Sequence, residues 1–201
     1  MLILEQVVTL YLKFFFMMVP FFVLSVFLTF SKNQTKEEKH GVLFRYGIAV
    51  TISCLIFLLF GKYIFALFGI TLDAFKIGAG AVLFLSALQM INGDTEKPEL
   101  DKKRASDYAI VPLAIPGTVG PGLIGVLMVL GAELGSAIDI SIAVIALLLA
   151  IASQIGMLLT SNKIKRLLGN QGMEILTKIT GLFVTAIGAQ IVFGGIKGFL
   201  F

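Results

Sequence analysis

The chain has 201 residues with a formal charge of +4; 58% of its side chains are hydrophobic and 14% are charged. The mean hydropathy of +1.00 lies far above that of an ordinary soluble domain and excludes one. The positive charge is spread over short loops beside long apolar runs, so it does not make a nucleic-acid surface.

Six apolar stretches follow one another, approximately 6–30, 41–67, 74–92, 108–131, 137–160 and 174–200. Each approaches or exceeds the roughly 20 residues needed to cross a hydrocarbon core. Runs such as IAVIALLLAIAS lack the alternating polarity of a membrane barrel, so the expected fold is an all-α transmembrane six-helix bundle.

In the first stretch Glu5 precedes the apolar run, no basic segment leads it, and the run is longer than a signal core. It reads as a span. Its segment FFFMMVPFFVLSVFLTF carries a single proline, Pro20, which kinks the helix or interrupts it. Ser25 is a candidate ligand there, though a helix serine often bonds back to its own backbone. Cys54 in the second stretch is the only cysteine, so no intrachain disulfide can form and packing is its default role. Gln89 in the third and Gln190 in the sixth stand toward helix ends. Ser153 and Gln154 form the most polar pair of the fifth, and Gln154 is kept as a candidate pathway residue because an amide inside a membrane needs a partner.

The fourth stretch reads PLAIPGTVGPGLIG from Pro112 to Gly125. Pro116 cannot bond to the carbonyl of Pro112, nor Pro121 to that of Gly117, and Gly117, Gly120 and Gly122 relax the backbone between them. In lipid, freed backbone groups are tolerated only when buried in protein or lining a polar cavity. The segment therefore reads as two half-helices. The first ends around Ala114 to Pro116 with its carbonyls freed. The second starts near Pro121 with the amides of Gly122, Leu123 and Ile124 unpaired. Opposed dipole ends suit a zwitterionic amino acid, with Thr118 adding a hydroxyl. A bent helix whose glycines only allow close packing is the alternative.

Charge sets the expected orientation. The segments 31–45, 93–107 and 161–178 each carry four Lys or Arg, against Lys13, Lys62, Lys76 and Lys197 on the other side. The first set is expected to be cytoplasmic, with both termini outside the cytoplasm of a cell inner membrane. Tyr11, Tyr46, Tyr63 and Tyr108 fall near the expected helix ends and read as an interfacial belt.

A shift of 101 residues aligns DAFKIGAGAVLFLSALQMING with EILTKITGLFVTAIGAQIVFG, superposing Gly80 on Gly181, Gln89 on Gln190 and Gly93 on Gly194. The same shift places Pro20 on Pro121. The expected organisation is a first three-helix repeat over 1–92, a charged cytoplasmic linker over 93–107, and a second, inverted repeat over 108–201.

IVPLAIPGTVGPG resembles the VPLAxPxxxGPG signature of the MarC family, which includes transporters of small neutral amino acids of the SnatA type. LFGITLDAFKIGAGAVLFLSALQM and ITGLFVTAIGAQIVFGGIKG are similar to its third and sixth helices. The resemblance implies six spans in two inverted repeats, with the first and fourth helices interrupted around the substrate, and it maps Pro116, Gly120, Pro121 and Gly122 onto the second interruption. The first motif departs from the family pattern of Asn or Asp, Pro, any residue, Gly, two residues and Pro. Here that register reads VPFFVLS from Val19, which offers fewer polar groups and more aromatic bulk.

An enzyme is not expected. His40 is the only histidine, which precludes an HExxH zinc site or a Ser-His dyad in the membrane, and no aspartate lies deep in a helix. The expected function is a multi-pass transporter or exporter of small neutral solutes, foremost small amino acids such as glycine or alanine, by alternating access. The alternatives are a non-transporting scaffold and an exporter of another small apolar compound. No cofactor is expected. With no ionisable residue at mid-span, Na⁺ coupling or no coupling ranks above H⁺ coupling, for which only Asp73, Asp107 and Glu174 at helix edges would serve.

Overall fold

A computed structural model describes residues 2–32, 34–93 and 108–200. Among these the chain forms α1 (Leu2–Met17), α2 (Pro20–Phe30), α3 (Lys36–Phe68) and α4 (Leu72–Asn92). A π-helical segment (Ala109–Thr118) follows, then α5 (Pro121–Glu133), α6 (Ala137–Leu159) and α7 (Ser161–Leu200). Most of the expected linker, 94–107, lies outside the described residues.

The helices α3, α4, α6 and α7 are long and apolar enough to cross a membrane. Two bent pairs, α1 with α2 at 45° and the π segment with α5 at 64°, are long and apolar enough when each pair is taken together, so the described residues hold up to six crossings if each pair is one span. Both second halves start on proline. Pro20 opens α2 and Pro121 opens α5, the position where a missing N–H costs nothing and the fixed φ already suits the helix.

The first span is broken as well as bent. Val19 holds the left-handed conformation at φ 51°, ψ 57°. For a β-branched residue this stores on the order of 1–3 kcal/mol, sustained by the packing around it. The flanking Met18 and Pro20 are buried.

Helix starts repeat at the spacing the sequence alignment uses. Helices begin at 20 and 121, and again at 36 and 137, each pair 101 residues apart. The caps obey the same spacing. Thr35 accepts from the Glu38 amide and Ser136 from the Asp139 amide, so each helix start is fixed by a hydroxyl three residues before an acid.

Helix α7 has 40 residues. At 1.5 Å per residue it would run roughly 60 Å, twice a hydrocarbon core. Gly169, at φ 65° and ψ −177°, divides it. The part before Gly169 carries Lys163, Lys165 and Arg166, all exposed, and the part after it packs antiparallel along α4. Glycines bring the two backbones together. A Cβ on Gly80 would stand 2.8 Å from the Gly188 carbonyl oxygen, and one on Gly181 would stand 3.1 Å from that of Ala87.

One assignment of the sequence reading is corrected here. Tyr46 is not an interfacial residue, because α3 starts at its Thr35 cap rather than near 41. The ring is three turns into the helix and 0% exposed. Tyr108 is also buried, stacked on Phe30, and donates to Gln34 Oε1 at 2.6 Å. Tyr63 is exposed and fits the belt.

Candidate functional site

The site is built on the broken fourth stretch. Val111 and Ile115, each preceding a proline, are extended at φ −123°, ψ 120° and φ −128°, ψ 123°, as the proline ring demands of its predecessor. Those two extended residues lengthen the turn. The bonds therefore close over five residues, from Leu113 N to the Tyr108 oxygen at 3.1 Å and from Val119 N to the Ala114 oxygen at 2.8 Å. The Ile115–Pro116 peptide is cis. Gly120 is extended, and α5 begins at Pro121 with no side chain capping it.

Two details of the half-helix expectation change. The Ala114 carbonyl is bonded to Val119, and the Ile124 amide is bonded to the Gly120 carbonyl at 3.0 Å. The uncapped amides are thus those of Gly122 and Leu123, and the nearest carbonyl to Gly120 is that of Pro116, 3.2 Å from where a Cβ on Gly120 would stand.

Thr118 is 1% exposed at the end of the π segment. Its hydroxyl donates to the Leu113 carbonyl at 3.1 Å and contacts the Tyr46 hydroxyl at 2.8 Å. Since its one proton is spent on Leu113, Tyr46 is the donor of the second bond. The phenol oxygen keeps its lone pairs as acceptors. Gln154 of α6 approaches the same phenol. It is 0% exposed, and neither Nε2 nor Oε1 completes a hydrogen bond. The adjacent Ser153 accepts from Tyr11 of α1 at 3.1 Å. The polar pair of α6 thus reaches α1 through one member and faces α3 with the other.

The remaining sequence candidates divide. Ala114 is buried, Gly117 and Gly120 are half-buried, and Pro116 and Pro121 are exposed. Gly122 serves packing, because a Cβ there would stand 3.0 Å from the Leu83 backbone of α4. Pro20 is buried at the first break. Ser25 donates to its own Phe21 carbonyl at 3.0 Å and lines a separate cavity of about 690 Å³ between α2, α4 and α7. Gln89 and Gln190 are exposed.

Sequence reasoning missed Tyr46. The signal was present in the TKEE run from Thr35, where Thr and Glu three apart form a capping box. Read as a helix start, it moves Tyr46 from the end of the span to its interior.

Comparison with known proteins places the chain. The family model for MarC family integral membrane proteins matches residues 4–200. A UPF0056 membrane protein of Methanocaldococcus jannaschii is 36% identical over 90% of this chain and 91% of its own. One of Pyrococcus abyssi is 32% identical over 98% and 96%, and YhcE of Escherichia coli, also a UPF0056 membrane protein, is 30% identical over 94% and 92%. No solved structure matches. With apolar helices for four to six crossings and a family match over nearly its whole length, the chain is a multi-pass integral membrane protein of the MarC family.

Proposed function

We propose that this protein carries small neutral solutes across the membrane, with amino acids of the size of glycine or alanine as the best fit. The observation that carries the reading is Gln154, a fully buried amide with no partner on either polar atom, beside the Tyr46–Thr118 pair at a broken span. An unsatisfied buried amide costs on the order of 1–3 kcal/mol, and a solute with complementary groups would recover it.

The chemistry of the cluster favours a zwitterion. Gln154 Nε2 and the uncapped amides of Gly122 and Leu123 are donors for a carboxylate. Gln154 Oε1, the Tyr46 oxygen and the Pro116 carbonyl are acceptors for an ammonium. Tyr46, Thr118 and Gln154 carry no formal charge, so a solute with net charge would enter uncompensated.

In this reading the two broken spans belong to inverted three-helix repeats, and the shared helix starts 101 residues apart support it. The membrane is a cell inner membrane, the basic segments lie in the cytoplasm and both termini lie outside. Transport proceeds by alternating access around the breaks, without enzymatic chemistry or a bound cofactor.

Coupling to Na⁺, or no coupling, is favoured over H⁺. Asp73 is held by Lys76 at 3.5 Å, and Lys76 also binds Glu133 at 2.7 Å. Glu174 is held by Lys178 at 3.1 Å, and Asp107 lies outside the described residues. Both described carboxylates are thus engaged in ion pairs on their own helices, and neither belongs to the Tyr46–Thr118–Gln154 cluster.

The test is uptake of labelled glycine and alanine into proteoliposomes, with Na⁺ and pH gradients imposed separately. Saturable uptake that needs no proton gradient is the expected result. No uptake of any small neutral amino acid under either gradient would reject the reading. Accumulation driven by protons alone would overturn the coupling assignment.

A further inference from the structure

The cavity between α2, α4 and α7 is distinct from the Tyr46–Thr118–Gln154 cluster, none of whose members lines it. Its volume is about 690 Å³. It lies where α2 and α4 end and where α7 turns at Gly169, in the company of the basic segments. Its inner wall is apolar, formed by Phe22, Val26, Leu28, Met90 and Met173. Its rim carries Lys32, Lys165 and Lys178.

The hydroxyls of the wall are already committed, and the one amide, Asn170, lies at its exposed edge. Ser25 donates to the Phe21 carbonyl, Thr29 to that of Ser25 at 2.9 Å and Thr177 to that of Met173 at 2.8 Å. The interior therefore holds no free hydroxyl proton for a buried anion. At the rim, Lys178 is paired with Glu174. Lys32 and Lys165 are exposed and have no ion-pair partner among the described residues. An apolar interior beneath two ammonium groups that are unpaired among the described residues complements an amphiphile with one anionic head, and a fully polar solute would leave the apolar wall uncovered.

We propose that this cavity binds one anionic phospholipid, its phosphate held by Lys32 and Lys165 and an acyl chain laid along Phe22, Val26, Met90 and Met173. Basic pockets between transmembrane helices on the anionic leaflet recognise lipid head groups in this way, with long lysine stems spanning from the apolar wall to the head-group level. The ligand is a component of the bilayer, so the site links lipid composition to the position of α2, the second half of the first broken span.

The protein purified in a neutral detergent is titrated with phosphatidylglycerol, with phosphatidylcholine of the same chains, and with glycerol 3-phosphate, and adducts are counted by native mass spectrometry. A single phosphatidylglycerol adduct should form at about tenfold lower lipid concentration than the phosphatidylcholine adduct. The double variant Lys32→Gln, Lys165→Gln should lose that preference. Lys163→Gln, on the same helix but away from the cavity, should keep it. Equal binding of the two lipids, or a preference that survives in the double variant, would overturn the proposal. Displacement of phosphatidylglycerol by glycerol 3-phosphate would also overturn it, by assigning the rim to a soluble phosphate compound.

Discussion

Gln154→Leu should reduce solute uptake roughly 10- to 100-fold while leaving the protein as stable as before or more so. The loss corresponds to removing one hydrogen-bonding contact with a charged group, worth about 1.5–3 kcal/mol. The stability change has the opposite sign because leucine fills a similar volume without an amide to desolvate. In the native chain both polar atoms of Gln154 are buried and unpartnered. A structural amide would behave otherwise, since removing it would lower the thermal midpoint and spare transport. Uptake measured beside the detergent melting midpoint separates the two roles, and a destabilised variant with normal transport would remove Gln154 from the site.

Gly188→Leu should cost more stability than any substitution at the site. A Cβ at Gly188 would stand 2.9 Å from the Phe84 amide nitrogen and 3.0 Å from the Gly80 carbonyl oxygen. Both are backbone atoms of α4, so neither can rotate away. Leucine must push α4 and α7 apart along their whole seam, a loss expected at about 3 kcal/mol or more. Gly78→Ala is the matched control, because nothing lies within 4 Å of its Cβ position; alanine there should be neutral or gain about 0.5–1 kcal/mol from helix propensity. Melting midpoints of the two variants that fell together would show that the seam does not depend on glycine.

The glycines paired by the repeat alignment show where sequence reasoning reached its limit. The repeat alignment matched Gly80 with Gly181 and Gly93 with Gly194. Gly80 and Gly181 are both packing contacts between α4 and α7, as a shared role would require. Gly93, by contrast, ends α4 at φ 82°, while Gly194 lies within α7 with open space around it. Identity in an alignment cannot tell a cap from an interface, because the difference lies in what another helix brings alongside.

The break itself was more legible. Proline rules placed the start of α5 at Pro121, because a missing N–H and a fixed φ act locally. The change to five-residue bonds was not legible, since it depends on how the extended residues Val111 and Ile115 fit between helical turns on either side. The first break was read as a kink or an interruption, and nothing in the letters VPFF announces the left-handed Val19. Tyr46 was misplaced for a different reason. Hydropathy alone starts the span after the charged run KEEKH, whereas the cap at Thr35 starts the helix at the first residue of that run.

The claim that the break around Thr118 receives the solute is tested most directly by accessibility. Thr118→Cys is made in a Cys54→Ala background, so that the buried native thiol cannot react, and labelled in membranes with a small polar thiol reagent. Measurable labelling that saturating glycine slows severalfold is expected, because solute and reagent compete for the same hydrated gap. A thiol that never reacts, or one that reacts at the same rate with and without glycine or alanine, would contradict it.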